Sequence, residues 1–244
     1  MLYQVGKKEK KPIKDASKMM DACKLLYGCP KIMVNVKKTR NSDYILSKDV
    51  DRIAEHRLDV LFRVNGFRII RGEVLKRGAA CGVWSYHHAD NRVNRGTPPA
   101  FYEFIENKPC TGAVLQILNE DLDNGLVISR VNTATNRLYG NMNLNGLLWR
   151  GMNLLPRALA LLHLCGVERF MEHVNKSQPS LSFYCHSLRT WPTDRDFLRN
   201  LPSLIARHVR QRIQDRFYID SWEILYRFDR TLSSAFWRYK VLVP

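Results

Sequence analysis

Short apolar runs alternate along the chain with segments whose apolar positions recur at helical spacing. Runs rich in β-branched and apolar residues predict strands over residues 31–36, 59–64, 81–86 and 113–118. Helical spacing predicts helices over residues 16–27, 47–58, 98–106 and 144–165, the last interrupted near Pro156, and a short helix or turn over 68–77. Strands separated by helices predict an α/β fold with a Rossmann-like, mostly parallel sheet and flanking helices.

The last part of the chain has a different pattern. Leucine, isoleucine and valine recur at helical spacing among arginines over residues 201–213, which predicts an amphipathic helix. Residues 220–228 and 236–244 read as two apolar or alternating strands with a turn between them. We therefore expect an α/β domain over 1–165, a helical extension over 166–217 and a β tail over 218–244 that opens a second domain.

Composition favours a soluble, cytoplasmic protein. The chain has 244 residues, of which 45% are hydrophobic, enough for one large core. It contains no run of eighteen apolar residues and no apolar N-terminal segment of the signal-peptide type. Its six cysteines form no Cys-x-x-Cys pair. We expect reduced thiols and no metal site.

The charge indicates an anionic partner without identifying it. The formal net charge is +16, which attracts nucleic acid, nucleotide-linked substrates, folates or acidic lipid alike. The lysine-rich segment 6–14 is interpreted as a solvated tail. No aromatic-rich RNA motif or helix-turn-helix pattern adds specificity, so a nucleic-acid-binding module is the least favoured hypothesis. The sequence does not indicate an oligomeric state.

Polar side chains with catalytic chemistry crowd the end of the strand predicted over 81–86. Because side chains alternate along a strand, Ser85 and His87 should share one face, while Tyr86 and His88 share the other. A histidine at a strand end can donate to a carbonyl oxygen that becomes negative, or act as acid or base near neutral pH. We interpret His88 as a core or loop histidine that is satisfied by hydrogen bonds.

An acidic loop, residues 119–125, follows the strand predicted over 113–118. Alone it is typical of a turn, because Asp and Asn accept backbone N–H groups there. If neighbouring strands carry His87 and Asp123 at the same end of the sheet, an imidazole and a carboxylate converge. Such a pair can take a proton from an attacking amine and polarise its target.

The segment from Gly82 to Ile128 resembles the catalytic core of the 10-formyltetrahydrofolate-dependent formyltransferases, which include methionyl-tRNA formyltransferase and the sugar N-formyltransferases. That family's pattern is Asn-x-His-x-Ser-Leu-Leu-Pro-x-x-Arg-Gly, then Thr-Gly, a strand, and Leu-Asp-x-Gly. The corresponding residues in this chain are Ser85, His87, Arg95-Gly96, Thr111-Gly112 and Leu122-Asp123-Asn124-Gly125.

The resemblance implies N-formyl transfer from 10-formyltetrahydrofolate to an amine. His87 then donates to the oxyanion, Asp123 positions the amine and relays its proton, and Ser85 replaces the family's Asn as a shorter donor. The family's Ser-Leu-Leu-Pro is replaced by residues 89–92. The residues that the resemblance implies for cofactor binding are Asp90, Asn91, Arg92, Arg95, Gly96, Leu122 and Gly125.

The resemblance also implies that the first β-α unit of the fold is missing. The variant His-His-x-Asp-Asn-Arg over residues 87–92, with the predicted β tail, is similar to bacterial formyltransferase-like proteins that carry a sugar-active β-rich domain. It favours an amino sugar over tRNA as the acceptor. A non-catalytic relative that binds a folate or sugar stays open as an alternative.

Overall fold

The computed structural model describes residues 14–18, 21, 24, 26–64, 68–121, 124–178 and 187–232, the last sixteen by their backbone alone. The chain divides into two compact units, one up to Trp191 and one from Pro192. No helix within these described ranges is long and apolar enough to cross a membrane.

The first unit combines seven strands with five helices among its described residues. The strands are β1 Val36–Lys38, β2 Ser42–Ile45, β3 Leu61–Phe62, β4 Ile69–Arg71, β5 Val83–His87, β6 Cys110–Ile117 and β7 Leu126–Ala134. The helices are α1 Ser47–Ala54, α2 Val74–Arg77, α3 Phe101–Ile105, α4 Gly140–Gly151 and α5 Leu154–Lys176.

The strands form a three-stranded sheet in the order β1-β2-β4 and a four-stranded sheet in the order β3-β5-β6-β7. The α/β prediction is therefore confirmed. The pairing is mixed, however: β2 with β4 and β3 with β5 are parallel, and the other three pairs are antiparallel. The segment 118–125, which joins β6 to β7, is shorter than the crossover of a dozen or more residues that a parallel pair requires. These two strands are therefore antiparallel.

Helix α5 covers one face of the four-stranded sheet. The indole of Trp84 on β5 stacks on the ring of Phe170 at a centroid distance of 5.3 Å, and both side chains are fully buried. Stacked aromatic pairs of this kind stabilise a core beyond the area they bury. The same cluster contains Leu115, Leu162 and Val174. This packing anchors β5, the strand that ends in the polar cluster.

Strands β2 and β4 are among those that the sequence pattern did not predict. Strand β2 begins with Ser42 and Asp43, which are buried polar residues, so it shows no apolar alternation. The Asp43 carboxylate accepts hydrogen bonds from the backbone N–H and the Nε of Arg68, at 2.9 and 3.2 Å. Strand β4 lies within residues 68–77, where a helix or turn was predicted. The strand predicted over 31–36 begins only at Val36.

Helix α1 confirms the helix predicted from Ser47, with Val50 and Ile53 buried. Ser47 is not its N-cap, because its hydroxyl donates to Glu73 at 2.7 Å.

The helix break predicted near Pro156 lies between α4 and α5, at residues 152–153. A proline in the first turn of α5 needs no intrahelical acceptor, so it does not end the helix. Within the helix predicted over 16–27, residues 19, 20, 22, 23 and 25 lie outside the described residues.

The second unit contains helix α6, Asp194–Leu232, which confirms a helix over the predicted range 201–213 and extends it. The strand predicted over 220–228 is wrong, because these residues continue α6. Its apolar residues Trp222, Leu225 and Tyr226 also fit helical spacing, and a short apolar run does not distinguish the two structures. Residues 236–244 lie outside the described residues. The boundary predicted after residue 165 coincides with an interruption of α5, because Gly166 has the non-helical angles φ +79° and ψ 167°.

Candidate functional site

The end of β5 presents its side chains on two faces, as alternation predicts. Tyr86 and His88 stack on one face with a ring-centroid distance of 5.8 Å and an interplanar angle of 9°. The Tyr86 hydroxyl donates to the Met152 carbonyl and accepts the backbone N–H of Leu155, at 3.3 and 3.0 Å, where α5 begins. This face therefore contacts a helix, and it leaves Ser85 and His87 to the opposite face.

His88 is not the satisfied histidine that was expected. Its Nδ1 is buried and has no hydrogen-bond partner in the described part of the chain. Burial lowers the pKa of His88, and the neighbouring His87 lowers it further. We therefore expect a neutral ring at physiological pH, held by its stack on Tyr86.

His87 is held by the loop that follows it. The side chain is 8% exposed, and its Nε2 lies 3.2 Å from the Asn94 carbonyl oxygen. Because a carbonyl oxygen only accepts, Nε2 carries the proton in this contact. Asn94 is buried too, with its Nδ2 donating to Glu103 at 2.6 Å and its backbone N–H to the Asp90 carbonyl at 2.9 Å. The loop thus orients the imidazole.

Ser85 is 3% exposed and makes two hydrogen bonds. Its hydroxyl donates to the Tyr86 carbonyl at 3.2 Å and accepts from Nη1 of Arg63 at 3.4 Å. Arg63 lies just after β3, the parallel neighbour of β5, and also donates through Nη2 to the Arg68 carbonyl at 3.1 Å. A guanidinium therefore lies beside the position where the family carries its Asn.

The strand register places a further residue beside Ser85. Ser85 lies opposite Gln116 on β6, and His87 lies opposite Val114, which in turn lies opposite Arg130 on β7. Residues opposite one another share a face of the sheet. The sequence pattern did not single out Gln116, whose one signal is that it is the polar residue within the apolar run 113–118.

The loop after His87 carries an ion cluster centred on Asp90. The Asp90 carboxylate accepts hydrogen bonds from the Arg92 backbone N–H, Nε and Nη2, the last at 2.7 Å, and pairs with Nε of Arg130 at 3.4 Å. Burial would raise the pKa of Asp90, but its hydrogen bonds to Arg92 and the charge of Arg130 outweigh it and hold the pKa below its usual value. Asn91 accepts from Nη2 of Arg130 at 3.2 Å.

Arg95 and Gly96 contact another part of the chain. Nε of Arg95 donates to the Asn91 carbonyl at 2.9 Å. Gly96 pairs with Arg189: the Arg189 N–H donates to the Arg95 carbonyl at 2.7 Å, and the Thr97 N–H donates to the Arg189 carbonyl at 3.1 Å. The φ of Gly96 is +107°, and a Cβ there would lie 2.0 Å from the Arg189 carbonyl oxygen. The Arg-Gly pair thus seats residues 187–190 against this loop.

The acidic loop does not start at the His87 end of the sheet. Because β5 and β6 are antiparallel, the Leu118 N–H donates to the carbonyl of Val83, the first residue of β5, at 2.7 Å. The strand end before the loop, Ile117, lies opposite Trp84, three residues before His87 and thus about 10 Å along the strand. The expectation that the two strands bring their carboxyl ends together is therefore wrong.

Two predicted site residues of this loop, Leu122 and Asp123, lie outside the described residues. The rest of the loop is compact, with Nδ2 of Asn119 donating to the Asn124 carbonyl at 2.9 Å. A Cβ on Gly125 would lie 2.1 Å from the Ile117 carbonyl oxygen, so a glycine is required by the close approach of the backbones. The loop turns back directly onto the end of β6.

No protein-family model matches the chain, and no curated protein matches it. Solved structures do show similarity. A sugar N-formyltransferase from Shewanella sp. is 20% identical with a TM-score of 0.44, over 64% of this chain and 63% of that one. Phosphoribosylglycinamide formyltransferase from Campylobacter jejuni is 16% identical with a TM-score of 0.41, over 47% and 59%.

An N-formyltransferase from Helicobacter canadensis, solved with folinic acid and dTDP-3-aminofucose, is 14% identical with a TM-score of 0.36, over 59% of this chain and 54% of that one. The chain spans about three fifths of the length of the first two structures. The chain is thus similar to these three solved structures.

Proposed function

We propose that the protein is an N-formyltransferase that moves a formyl group from 10-formyltetrahydrofolate to an amine. The observation that carries the proposal is the juxtaposition of Ser85, His87 and Gln116 on one buried face of the sheet, under a loop of ordered polar residues. The motif order from Gly82 to Ile128 supports the same chemistry.

The residues around His87 fit a folate. Two guanidinium groups, those of Arg92 and Arg130, face the single carboxylate of Asp90, which leaves one positive charge in excess. The Arg92 side chain is 47% exposed, so it can reach an anion in solvent. The carboxylates of a folate are such anions, and arginine binds them through two parallel hydrogen bonds. Asn91 adds an amide beside Arg130.

When bound, 10-formyltetrahydrofolate supplies the formyl carbon that the amine attacks. His87 carries a proton at Nε2, which contacts the Asn94 carbonyl in this structure and would have to turn from it to donate to the oxygen that becomes negative. The Ser85 hydroxyl is a second, shorter donor on the same face. Asp123, at the position of the family's catalytic Asp, would take the proton that the amine loses, and this proton can pass to the folate nitrogen whose bond to the formyl carbon breaks, so that tetrahydrofolate leaves.

We further propose an amino sugar, free or nucleotide-linked, as the acceptor. The support is the variant motif over residues 87–92, shared with formyltransferase-like proteins that carry a sugar-active domain. Of the predicted β tail, residues 220–228 no longer contribute to this argument, because they belong to α6.

The test is a formyl-transfer assay with 10-formyltetrahydrofolate and three acceptor classes: amino sugars, nucleotide-linked amino sugars and aminoacyl-tRNA. We expect transfer to an amino sugar by the wild-type protein, and its loss in His87→Ala and in Asp123→Asn with retained folding by circular dichroism. His163→Ala, an exposed histidine on α5, is the matched control and should keep full activity. Absence of transfer to every amine would contradict the proposal.

A non-catalytic folate-binding protein is the second candidate. It is favoured by the hydrogen bonds that already occupy both proposed donors, since His87 Nε2 contacts the Asn94 carbonyl and Ser85 Oγ contacts the Tyr86 carbonyl. Such a protein would be stabilised by formyl-folate without turning it over. A ligand at a hundred times its dissociation constant adds about 2.7 kcal/mol, which a thermal melt detects.

A further inference from the structure

We propose that Glu103 is a positioning residue of the site: acting through Asn94, it keeps the proton of the His87 ring on Nε2. The inference rests on the proposed formyl transfer, because it concerns the histidine that would donate to the oxyanion. Three features lead to it, namely a buried carboxyl group with an unusual partner, the way in which Asn94 is held, and the two tautomers of an imidazole.

Glu103 carries a buried carboxyl group that pairs with an amide instead of a cation. The residue lies in α3 and is 3% exposed. Its Oε1 accepts a hydrogen bond from Nδ2 of Asn94 at 2.6 Å, and it forms no ion pair within the described residues. Glutamates are almost never fully buried unless they are paired with a charge. Burial of this carboxyl group costs the fold free energy, so it requires a reason other than packing.

Asn94 is held by its backbone and by its side chain. The residue is 5% exposed, and its backbone N–H donates to the Asp90 carbonyl at 2.9 Å. Its side chain is anchored separately, by the hydrogen bond to Glu103. Between these two anchors, the Asn94 carbonyl oxygen is directed at Nε2 of His87, 3.2 Å away. Glu103 thus reaches His87 through one intervening residue.

The orientation of the Asn94 carbonyl decides which nitrogen of His87 carries the proton. A neutral imidazole has one N–H, on Nδ1 or on Nε2, and the hydrogen bond that a nitrogen makes selects the tautomer. A carbonyl oxygen only accepts, so it selects the proton on Nε2. If this carbonyl moved away, the proton could occupy Nδ1, and Nε2 would become an acceptor that cannot stabilise a negative oxygen. Glu103 therefore maintains the tautomer that the proposed reaction uses.

Two substitutions remove the anchor of Asn94 and keep its backbone carbonyl. Glu103→Met has a similar length but no carboxyl oxygen, and Asn94→Ala lacks the amide that donates to Glu103. We expect the ring-nitrogen chemical shifts of His87, measured on isotope-labelled, ligand-free protein at a pH at which imidazoles are neutral, to show protonation at Nδ1 in both variants. The kcat of formyl transfer should fall about tenfold or more, with an unchanged KM for formyl-folate.

Glu103→Gln is the conservative variant and should rescue both effects. The side-chain carbonyl of glutamine still accepts Nδ2 of Asn94, so we expect the wild-type tautomer and most of the wild-type kcat. The double variant Glu103→Met with Asn94→Ala should be no slower than either single variant, because both substitutions break the same contact. A glutamate with a structural role alone would change the melting temperature and leave the His87 ring as it is in wild type.

Glu73→Met is the matched control, because it also removes a glutamate that accepts hydrogen bonds. Oε2 of Glu73 accepts the Ser47 hydroxyl at 2.7 Å and Nη1 of Arg77 at 3.0 Å. None of these residues contacts Asn94 or His87 in the hydrogen bonds described above. This variant should keep the wild-type tautomer of His87 and the wild-type kcat.

Wild-type ring-nitrogen shifts in either single variant, provided that it is folded, would overturn the inference and leave the proposed formyl transfer intact. An unchanged kcat in a variant whose ring has changed its tautomer would overturn it as well. A wild-type protein that formylates no amine contradicts the proposed function instead, and the role of Glu103 in that reaction falls with it.

Discussion

Asp90 packs its backbone directly against Gly112 of β6. A Cβ at Gly112 would lie 2.9 Å from the Asp90 Cβ, 3.2 Å from its nitrogen and 2.6 Å from Oδ1 of Asn132. The glycine therefore lets the loop after His87 lie flat on the sheet. This contact gives a physical reason for the Thr-Gly pair that the chain shares with the formyltransferase pattern.

Gly112→Ala should displace the loop that orients His87. A Cβ has no space between Asp90 and Asn132, so we expect a loss of about 1–3 kcal/mol in the free energy of unfolding and a loss of most formyl transfer. Urea unfolding and the transfer assay measure the two effects.

Gly146→Ala is the control for that substitution. Gly146 lies in α4, and no atom lies within 4 Å of a Cβ built on it. Alanine is the better helix former, so this variant should gain about 0.5–1 kcal/mol and keep its activity. Equal behaviour of the two variants would show that the loop does not depend on contact with Gly112.

The local part of the site was predictable from sequence, and its long-range part was not. Neighbouring side chains alternate between the two faces of a strand, and this rule correctly predicted that Tyr86 and Ser85 lie on opposite faces of β5. The ion pair between Asp90 and Arg130 spans forty positions, and no periodic pattern reports it. The direction of β6 could have been inferred from the short segment 118–125, which separates it from β7 and allows only a hairpin.

Buried polar residues explain the missed elements of the fold. Strand β2 begins with Ser42 and Asp43, whose burial is compensated by hydrogen bonds, among them those from Arg68 to the Asp43 carboxylate. Hydrophobic patterning identifies a strand by its apolar residues, so it overlooks such a strand. The pattern did not identify Gln116 as a residue of the site for a related reason, because a single polar residue does not change the pattern of an apolar run.

Asp90→Asn should weaken the fold most at neutral pH. The pKa of Asp90 is lower in the folded protein than its ordinary value of about 3.9, so its stabilising contribution is present above pH 4 and is lost as the pH falls through the folded pKa. The Arg92 side chain is 47% exposed and the Arg130 side chain 22%, so solvent screens part of the attraction and we expect a loss of about 1–3 kcal/mol. Melting temperatures of wild type and variant should therefore differ at pH 7 and converge in acid.

Asp51→Asn is the control for the buried pair. Its partner is Arg77, and both side chains are about half exposed, so solvent screens the interaction. We expect a change of about 1 kcal/mol or less at any pH. A constant difference between wild type and Asp90→Asn down to pH 2 would contradict the assigned role of the Asp90 carboxylate.

Gly96→Ala should release residues 187–190 from the loop. Alanine at this position would have a strained backbone φ of +107°, and its Cβ would lie 2.0 Å from the Arg189 carbonyl oxygen. We therefore expect the free energy of unfolding to fall by at least about 3 kcal/mol. Limited proteolysis should show faster cleavage near Arg189.

Gly28→Ala separates backbone strain from crowding against Arg189, because Gly28 has a φ of +84° with open space around it. It should cost only about 1–2 kcal/mol. Equal losses would exclude crowding against Arg189 as the reason.

Ser85→Asn decides whether the site is a weakened catalyst or a binding pocket. An asparagine restores the amide donor of the family pattern at a position that is 3% exposed, opposite Gln116 and beside Nη1 of Arg63. In a working formyltransferase a further donor at the oxyanion should raise kcat by about tenfold or more, whereas Ser85→Ala, which lacks any donor, should lower it. Single-turnover rates at saturating formyl-folate measure the chemistry, and melting curves check the fold. A folded Ser85→Asn variant with an unchanged rate would mean that the hydroxyl does not face the reacting group, and it would favour the non-catalytic folate-binding protein.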